Sequence, residues 1–310
     1  VRLAFFGTTE FAVPALEAMA DSVALVVTQP DRPTGRGLRL HASPVKTRAL
    51  ALGLPVESPE KSRAPEFVAR LRSLDLDALL VAAYGQILSV AVLESARRGG
   101  INLHGSVLPR WRGAAPIQRA ILAGDTETGV TLMQMDRGMD TGDIIAVRRT
   151  PIGPDETYGE LQARLADLAA GMAREWMPRV VAGDYPREPQ DDAPATLAAK
   201  VTKEEAGLDF GRAAAAEYAR FRAFTPAPGA YLSLAGGPLK LHACRLAAGE
   251  AAGGTVLSLQ PLTVAFAGGA LELQAVQPAG KPRMAGRDWA NGARLRVGDR
   301  LEAPPAQSGA

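Results

Sequence analysis

With one cysteine, Cys244, in 310 residues, the chain can hold no internal disulfide framework, and a reducing, cytoplasmic setting is expected. Histidine is almost as scarce. His41, His104 and His242 are the full set, too few for a structural zinc site of ordinary composition. His242 and Cys244 share one strand face but have no second pair to complete them, so an ordinary strand face is the reading and no metal is expected. There is no run of eighteen apolar residues and no charged start leading into an apolar signal core, so neither membrane spanning nor secretion is expected. A dinucleotide fingerprint is missing as well. Gly7-Thr8-Thr9 has the wrong spacing, and Gly35-x-Gly37 sits in a Pro- and Arg-rich stretch with no strand directly before it, which argues against a nicotinamide site. The formal net charge is only +2, so the whole-chain charge carries no nucleic-acid signature.

What the chain does have is apolar length with a rhythm. At 47% hydrophobic residues there is material for two cores. Arg2 to Thr8 and Val23 to Thr28 read as strands, each followed by a helix-compatible stretch: Phe11 to Met19, then Pro44 to Leu52 with Ser43 as N-cap and Pro44 at the first helical position. Asp77 to Tyr84, Gly100 to His104 and Val130 to Met135 supply further strands, with Val90 to Arg97 and Pro116 to Ala123 as helices between them. The fold class is therefore α/β, a doubly wound, mostly parallel sheet. After a helical stretch from Glu156 to Val181 the periodicity is lost, and Pro186, Pro189, Asp191, Asp192 and Pro194 favour an extended connection. The expected division is residues 1–184, a linker over 185–200, and 201–310. In the last part a helix from Arg212 to Phe224 precedes five short strands, Ala230 to Leu234, Leu239 to Cys244, Thr255 to Leu257, Thr263 to Phe266 and Leu271 to Val276, which suggests a small β-barrel.

Chemistry concentrates between Asn102 and Asp143. Asn102 and His104 lie two apart on one strand, so a period of two points both side chains to one face. Gly105 and the stretch from Pro109 to Gly113 then break the strand, and strand ends in open α/β sheets are where ligands bind. Asp140 lies between Gly138 and Gly142, in a loop tight enough to bring backbone close to a ligand. Such a trio suits attack by an amine on a carbonyl or formyl carbon: Asn102 as oxyanion donor, His104 as donor or proton carrier, Asp140 to orient the imidazole or take a proton. On these three residues alone, a buried core histidine satisfied by a neighbouring amide fits as well.

The longer pattern separates those readings. The run from Asn102 through His104-Gly105-Ser106-Val107-Leu108-Pro109-Arg110-Trp111-Arg112-Gly113 to Gln118, followed by Met135-Asp136-x-Gly138-x-Asp140-Thr141-Gly142-Asp143, resembles the formyltransferase family that uses 10-formyltetrahydrofolate. The resemblance extends to Phe6-Gly7-Thr8, Thr28 to Pro33, Ala83 to Leu88 and Leu273 to Lys281, and so covers nearly the whole chain. It implies a Rossmann-like formyltransferase domain, an OB-like C-terminal barrel, and catalysis by Asn102, His104 and Asp140 without a metal. It further implies 10-formyltetrahydrofolate as formyl donor, held along Gln86, Ile87 and Leu88, along Ser106, Val107, Leu108 and Pro109, and by the Asp140 loop. The branch it is most similar to takes charged initiator methionyl-tRNA as acceptor. A monomer is expected.

Two basic clusters bear on that acceptor. From residue 201 onward twelve Lys or Arg face nine Asp or Glu, and Lys281, Arg283, Arg287, Arg294, Arg296 and Arg300 make a local footprint suited to phosphates. By charge alone a solvated basic face is the stronger reading. Arg32, Arg36 and Arg39 lie in a second cluster, a Gly- and Pro-rich stretch too long for an ordinary turn, and the resemblance implies that its Arg36 reaches the acceptor end of the tRNA. Taken together, the two clusters and the resemblance give Arg32, Arg36, Arg39, Lys281, Arg294 and Arg296 as the expected tRNA contacts, of which Arg36 is the one that the resemblance itself implies. A sugar-nucleotide N-formyltransferase or a formyltetrahydrofolate hydrolase would keep the trio and change the acceptor, but both basic clusters argue against them. A non-catalytic RNA-binding protein would leave the trio unexplained.

Overall fold

The computed structural model describes residues 1–34 and 39–301. In chain order the elements up to residue 198 are β1 (Leu3–Gly7), α1 (Val13–Met19), β2 (Val23–Val27), β3 (Arg32–Thr34), β4 (Arg39–His41), α2 (Pro44–Ala51), β5 (Val56–Glu57), α3 (Pro65–Arg72), β6 (Ala78–Ala82), α4 (Val90–Leu93), β7 (Gly100–His104), β8 (Arg112–Gly113), α5 (Pro116–Leu122), β9 (Glu127–Gln134), β10 (Ile144–Pro151), α6 (Tyr158–Ala182) and β11 (Leu197–Ala198). The chain packs as two units, one of residues 1–116, 127–151 and 162–199, the other of residues 117–126, 152–161 and 200–310.

The first unit is built on a seven-stranded sheet of order β10-β9-β7-β6-β1-β2-β5. The five strands from β7 to β5 are parallel; β9 runs antiparallel to β7, and β10 antiparallel to β9. Strands covered on both faces read as continuous apolar runs, and β1, β6 and β7 are buried at every residue. Ala4, Phe6, Leu79 and Val81 of one face pack on Phe67, Val68 and Leu71 of α3 and Val92 and Leu93 of α4. Ser43 caps α2, its hydroxyl accepting from the Lys46 amide at 3.0 Å, as the Ser-Pro pair suggested.

Three parts differ from the sequence reading. The helix expected from Val90 to Arg97 stops at Leu93, because the Arg97 and Arg98 amides leave it to donate to the carbonyls of Leu76 and Asp77. The helix α3 and the edge strand β10 are additional to the elements expected from the sequence. β10 carries two arginines and is mostly open to solvent, so its apolar signal is short. The stretch from Asp31 to Leu40, read as a loop, has paired arms: β3 and β4 align Arg32 with His41 and Thr34 with Arg39. Arg36 lies outside the described residues, as does the side chain of Arg39. Residues 185–199 belong to the first unit, where Glu188 exchanges backbone hydrogen bonds with Ile144 and β11 pairs with β8.

In the second unit lie β12 (Gly207–Leu208), α7 (Ala214–Ala223), β13 (Tyr231–Leu234), β14 (Gly237–Ala247), β15 (Val256–Leu259), β16 (Leu262–Phe266), β17 (Gly269–Pro278), β18 (Met284–Ala285) and α8 (Gly286–Gly292). The sheet order is β12-β13-β14-β17-β16-β15, with β18 on β17. Among the described residues the hydrogen-bonded ladder runs from β12 to β15. Tyr218, Phe221 and Phe224 pack into a core with Leu232, Leu241, Phe266 and Leu273.

Candidate active site

β7 aligns Asn102 with Val81 of β6, and the period of two places Asn102 and His104 on one face of the sheet. Both are buried, at 9% and 6% exposure. Asp140 reaches them from the loop joining β9 to β10. The Asn102 amide donates to Asp140 Oδ1 at 3.3 Å, and His104 Nδ1 lies 3.6 Å from Asp140 Oδ2. The three residues singled out from the sequence converge.

Backbone groups from the turn after β7 complete the cluster. The Gly113 amide donates to Asp140 Oδ2 at 2.9 Å, and His104 Nε2 meets the Trp111 carbonyl oxygen at 2.9 Å. A carbonyl oxygen only accepts, so Nε2 carries the hydrogen. Trp111 holds φ at +66°, where a bulky side chain costs on the order of 1–3 kcal/mol. Thr196 braces the turn, its hydroxyl accepting from the Trp111 amide at 2.9 Å and its carbonyl from the Arg112 amide at 2.8 Å.

The loop that carries Asp140 closes on itself. Asp136 accepts from the Gly138 amide and from the Thr141 hydroxyl, each at 2.8 Å. A Cβ at Gly138 would lie 1.9 Å from Thr141 Oγ1, and one at Gly142 would lie 1.9 Å from the Gln134 carbonyl oxygen. Close approach is therefore what both glycines permit. Asp140 takes a left-handed φ of +57°, which aspartate tolerates better than most residues.

Beside this loop opens a cleft of about 520 Å³, its lining including Val90, Leu93, Met135, Asp136, Arg137 and Tyr185. That size suits a small organic ligand. The inner wall is polar but satisfied: Gln134 donates to the carbonyls of Arg98 and Gly100 and accepts from the Tyr185 hydroxyl.

The residues associated with folate by resemblance divide into two kinds. Ile87 is 88% exposed, an apolar side chain open to a ligand, while Leu88 is buried. The Gln86 side chain accepts from the Ser62 amide and donates to the carbonyls of Pro59 and Glu60, which holds a neighbouring loop in place. Ser106 donates to the Arg110 carbonyl, and Thr131 bridges the Ser106 carbonyl and the Leu108 amide; Val107 and Pro109 keep partial exposure. The basic residues Arg32, Lys281, Arg294 and Arg296 are all exposed. Among the described residues no group of three His, Cys, Asp or Glu side chains could hold a metal ion, and no helix is long and apolar enough to cross a membrane.

A family model described as formyl transferase matches residues 1–181, and one described as formyl transferase, C-terminal domain, matches residues 200–294. The chain belongs to the formyl transferase family. This formyl transferase is 48% identical to a methionyl-tRNA formyltransferase from Symbiobacterium thermophilum, over 99% of this chain and 97% of that one. It is likewise 48% identical to a methionyl-tRNA formyltransferase from Sorangium cellulosum, over 96% of this chain and 98% of that one. Its fold is shared with an N-formyltransferase from Helicobacter canadensis solved with folinic acid and dTDP-3-aminofucose (TM-score 0.65, 18% identity, 87% of this chain and 98% of that one). HypX from Aquifex aeolicus, solved with tetrahydrofolic acid, gives a TM-score of 0.65 at 14% identity, covering 100% of this chain and 50% of that one.

In this formyl transferase the sequence reading missed the Trp111 carbonyl, the Gly113 amide and the cleft residues Leu93 and Met135. The backbone groups carry no side-chain signal. In the sequence Leu93 is one apolar residue inside the helix expected from Val90 to Arg97, and Met135 only the end of the strand expected from Val130.

Proposed function

We propose that this chain transfers the formyl group of 10-formyltetrahydrofolate to the α-amino group of methionine esterified to initiator tRNA, in the cytoplasm, for translation initiation. The acceptor rests on one observation, the 48% identity along nearly the full length of proteins named methionyl-tRNA formyltransferase. The chemistry is supported by the convergence of Asn102, His104 and Asp140.

In this reading Asn102 turns an N–H toward the oxyanion that develops as the amine attacks the formyl carbon, and His104, protonated, shares that charge. Asp140 takes the proton released by the amine and passes it towards the folate nitrogen that departs as its bond to the formyl carbon breaks. Tetrahydrofolate and the formylated aminoacyl-tRNA are the products, and no proton is left over. Formyl-folate supplies the one-carbon unit at the level of a formamide. The residues present fit it: the cleft has the volume for a bicyclic ring, Leu93 and Met135 offer apolar walls, and exposed Ile87 offers a surface for a ring to cover. The reading assigns catalysis to residues 1–184, tRNA contact to an OB-like part from residue 201 that includes Lys281, Arg294 and Arg296, and contact near the acceptor end to Arg32, Arg36 and Arg39.

The test is purified protein with 10-formyltetrahydrofolate and, in parallel, methionyl initiator tRNA, an amino-sugar nucleotide, or water as acceptor. Formylation of the tRNA alone is expected. Preferential formylation of the sugar, or hydrolysis without transfer, would replace the proposed acceptor.

A further inference from the structure

We infer that Gln190, which lies between the two family-matched regions, is a positioning residue that locks the two arms of the active site together. The inference rests on the formyl-transfer reading above. One side-chain amide makes all the connections. Its Oε1 accepts from Arg112 Nε at 3.1 Å and Nη2 at 2.8 Å, while its Nε2 donates to the carbonyl oxygens of Asp140 at 2.9 Å and Gly142 at 2.8 Å. The amide can sit only one way round, because a guanidinium offers donors alone and carbonyls offer acceptors alone.

Each arm carries half of the cluster. Arg112 belongs to the turn whose neighbours supply the Trp111 carbonyl to His104 and the Gly113 amide to Asp140. Asp140 and Gly142 belong to the opposite loop, which brings in the carboxylate. The direct side-chain contacts across the cluster are long, 3.3 Å from Asn102 and 3.6 Å from His104, whereas Gln190 grips the loop backbone at 2.8 to 2.9 Å. Asp140, in its left-handed conformation, is therefore held from behind by Gln190 and from the front by Gly113. Arg112 is itself 7% exposed and is steadied on its outer side by Asp192 at 2.7 Å. Misplacement of a reacting group by about 1 Å can cost a hundredfold in rate, so a brace of this kind acts on turnover.

Two variants test it. Gln190→Ala removes both grips; Gln190→Glu keeps the acceptor for Arg112 but has no donor for the two carbonyls. Both are expected to lower kcat by about ten- to a hundredfold with KM for either substrate little changed. In an Asp140→Ala background Gln190→Glu, which keeps its grip on Arg112, should leave the residual single-turnover rate within about twofold, because the donor it loses works through Asp140. A purely structural residue would lower both backgrounds by the same factor. Hydrogen exchange reads the brace without any turnover: protection of the Gly113 amide and of residues 138–143 should fall in both variants while the β1 and β6 amides stay protected. If wild-type protein formylates no methionyl-tRNA, the functional reading fails and exchange still decides the brace. If Gln190→Ala does not fold, Gln190→Glu decides alone. Wild-type kcat in Gln190→Glu, equal losses in both backgrounds, or unchanged exchange at Gly113 and 138–143 would each overturn the inference.

Discussion

The imidazole Nε2 of His104 is capped by the carbonyl oxygen of Trp111 at 2.9 Å. That contact dictates which ring nitrogen faces the reaction. With Nε2 carrying a hydrogen, the nitrogen turned toward Asp140 is Nδ1, and a proton placed there is shared between imidazole and carboxylate. Trp111 therefore acts through its backbone, and its strained φ of +66° is what aims the carbonyl.

The trio makes the first prediction. Asn102→Ala should raise the barrier by roughly 2–4 kcal/mol, the cost of removing one oxyanion donor, with folate affinity much less affected. His104→Ala and Asp140→Ala should each be comparably damaging, and combining them should add little, since both act on the same proton transfer. Single-turnover formylation measures all three, and fully multiplicative losses would separate the roles.

Packing in the Asp140 loop makes the second. Gly142→Ala puts a methyl 1.9 Å from the Gln134 carbonyl oxygen, so the loop must move away from β9. A stability loss of roughly 1–3 kcal/mol is expected, with turnover falling alongside it. Gly292→Ala is the control: at the end of α8 its Cβ meets nothing within 4 Å, and a neutral to slightly stabilising effect is expected. Urea denaturation of both variants gives the comparison, and equal effects would remove the steric argument.

The third concerns alkaline pH. Burial pushes the Tyr84 phenol up to about 12, outweighing the opposing effect of the neighbouring Ser62 hydroxyl. The folded state thus holds this proton more tightly than the unfolded chain does. Its stabilising contribution is complete below about pH 10 and disappears as pH rises toward 12, a span worth at most about 2.7 kcal/mol. Tyr84→Phe should flatten the stability loss between pH 10 and 12. An unchanged alkaline limb in melting curves would assign that limb to another group.

The fourth concerns tRNA. Neutralising Arg294 and Arg296 should weaken tRNA association and reduce the slope of log affinity against log salt by somewhat under about one unit for each arginine–phosphate pair removed. Arg36→Ala should impair formylation while folate binding stays intact. An unchanged slope with unchanged affinity would return the C-terminal arginines to a solvated face.

Local chemistry made much of this protein legible from the chain alone. Continuous apolar runs announced β1 and β6, because a strand covered on both faces excludes polar residues. Ser43-Pro44 announced the start of α2, because an N-cap hydroxyl and a preset φ act within one turn. The two-residue spacing of Asn102 and His104 announced a shared face. Tertiary structure alone decided the rest, where partners far apart in sequence compete with local preference. α4 ends after one turn because Leu76 and Asp77 draw off the Arg97 and Arg98 amides. The Asp140 carboxylate is met by an amide 27 residues away, and its backbone by a side chain 50 residues away. Neither partner carries a local signal: a glycine amide is the same in every turn, and a glutamine in a polar stretch is indistinguishable from a solvated one until folding brings Arg112 to one side of it and two carbonyls to the other.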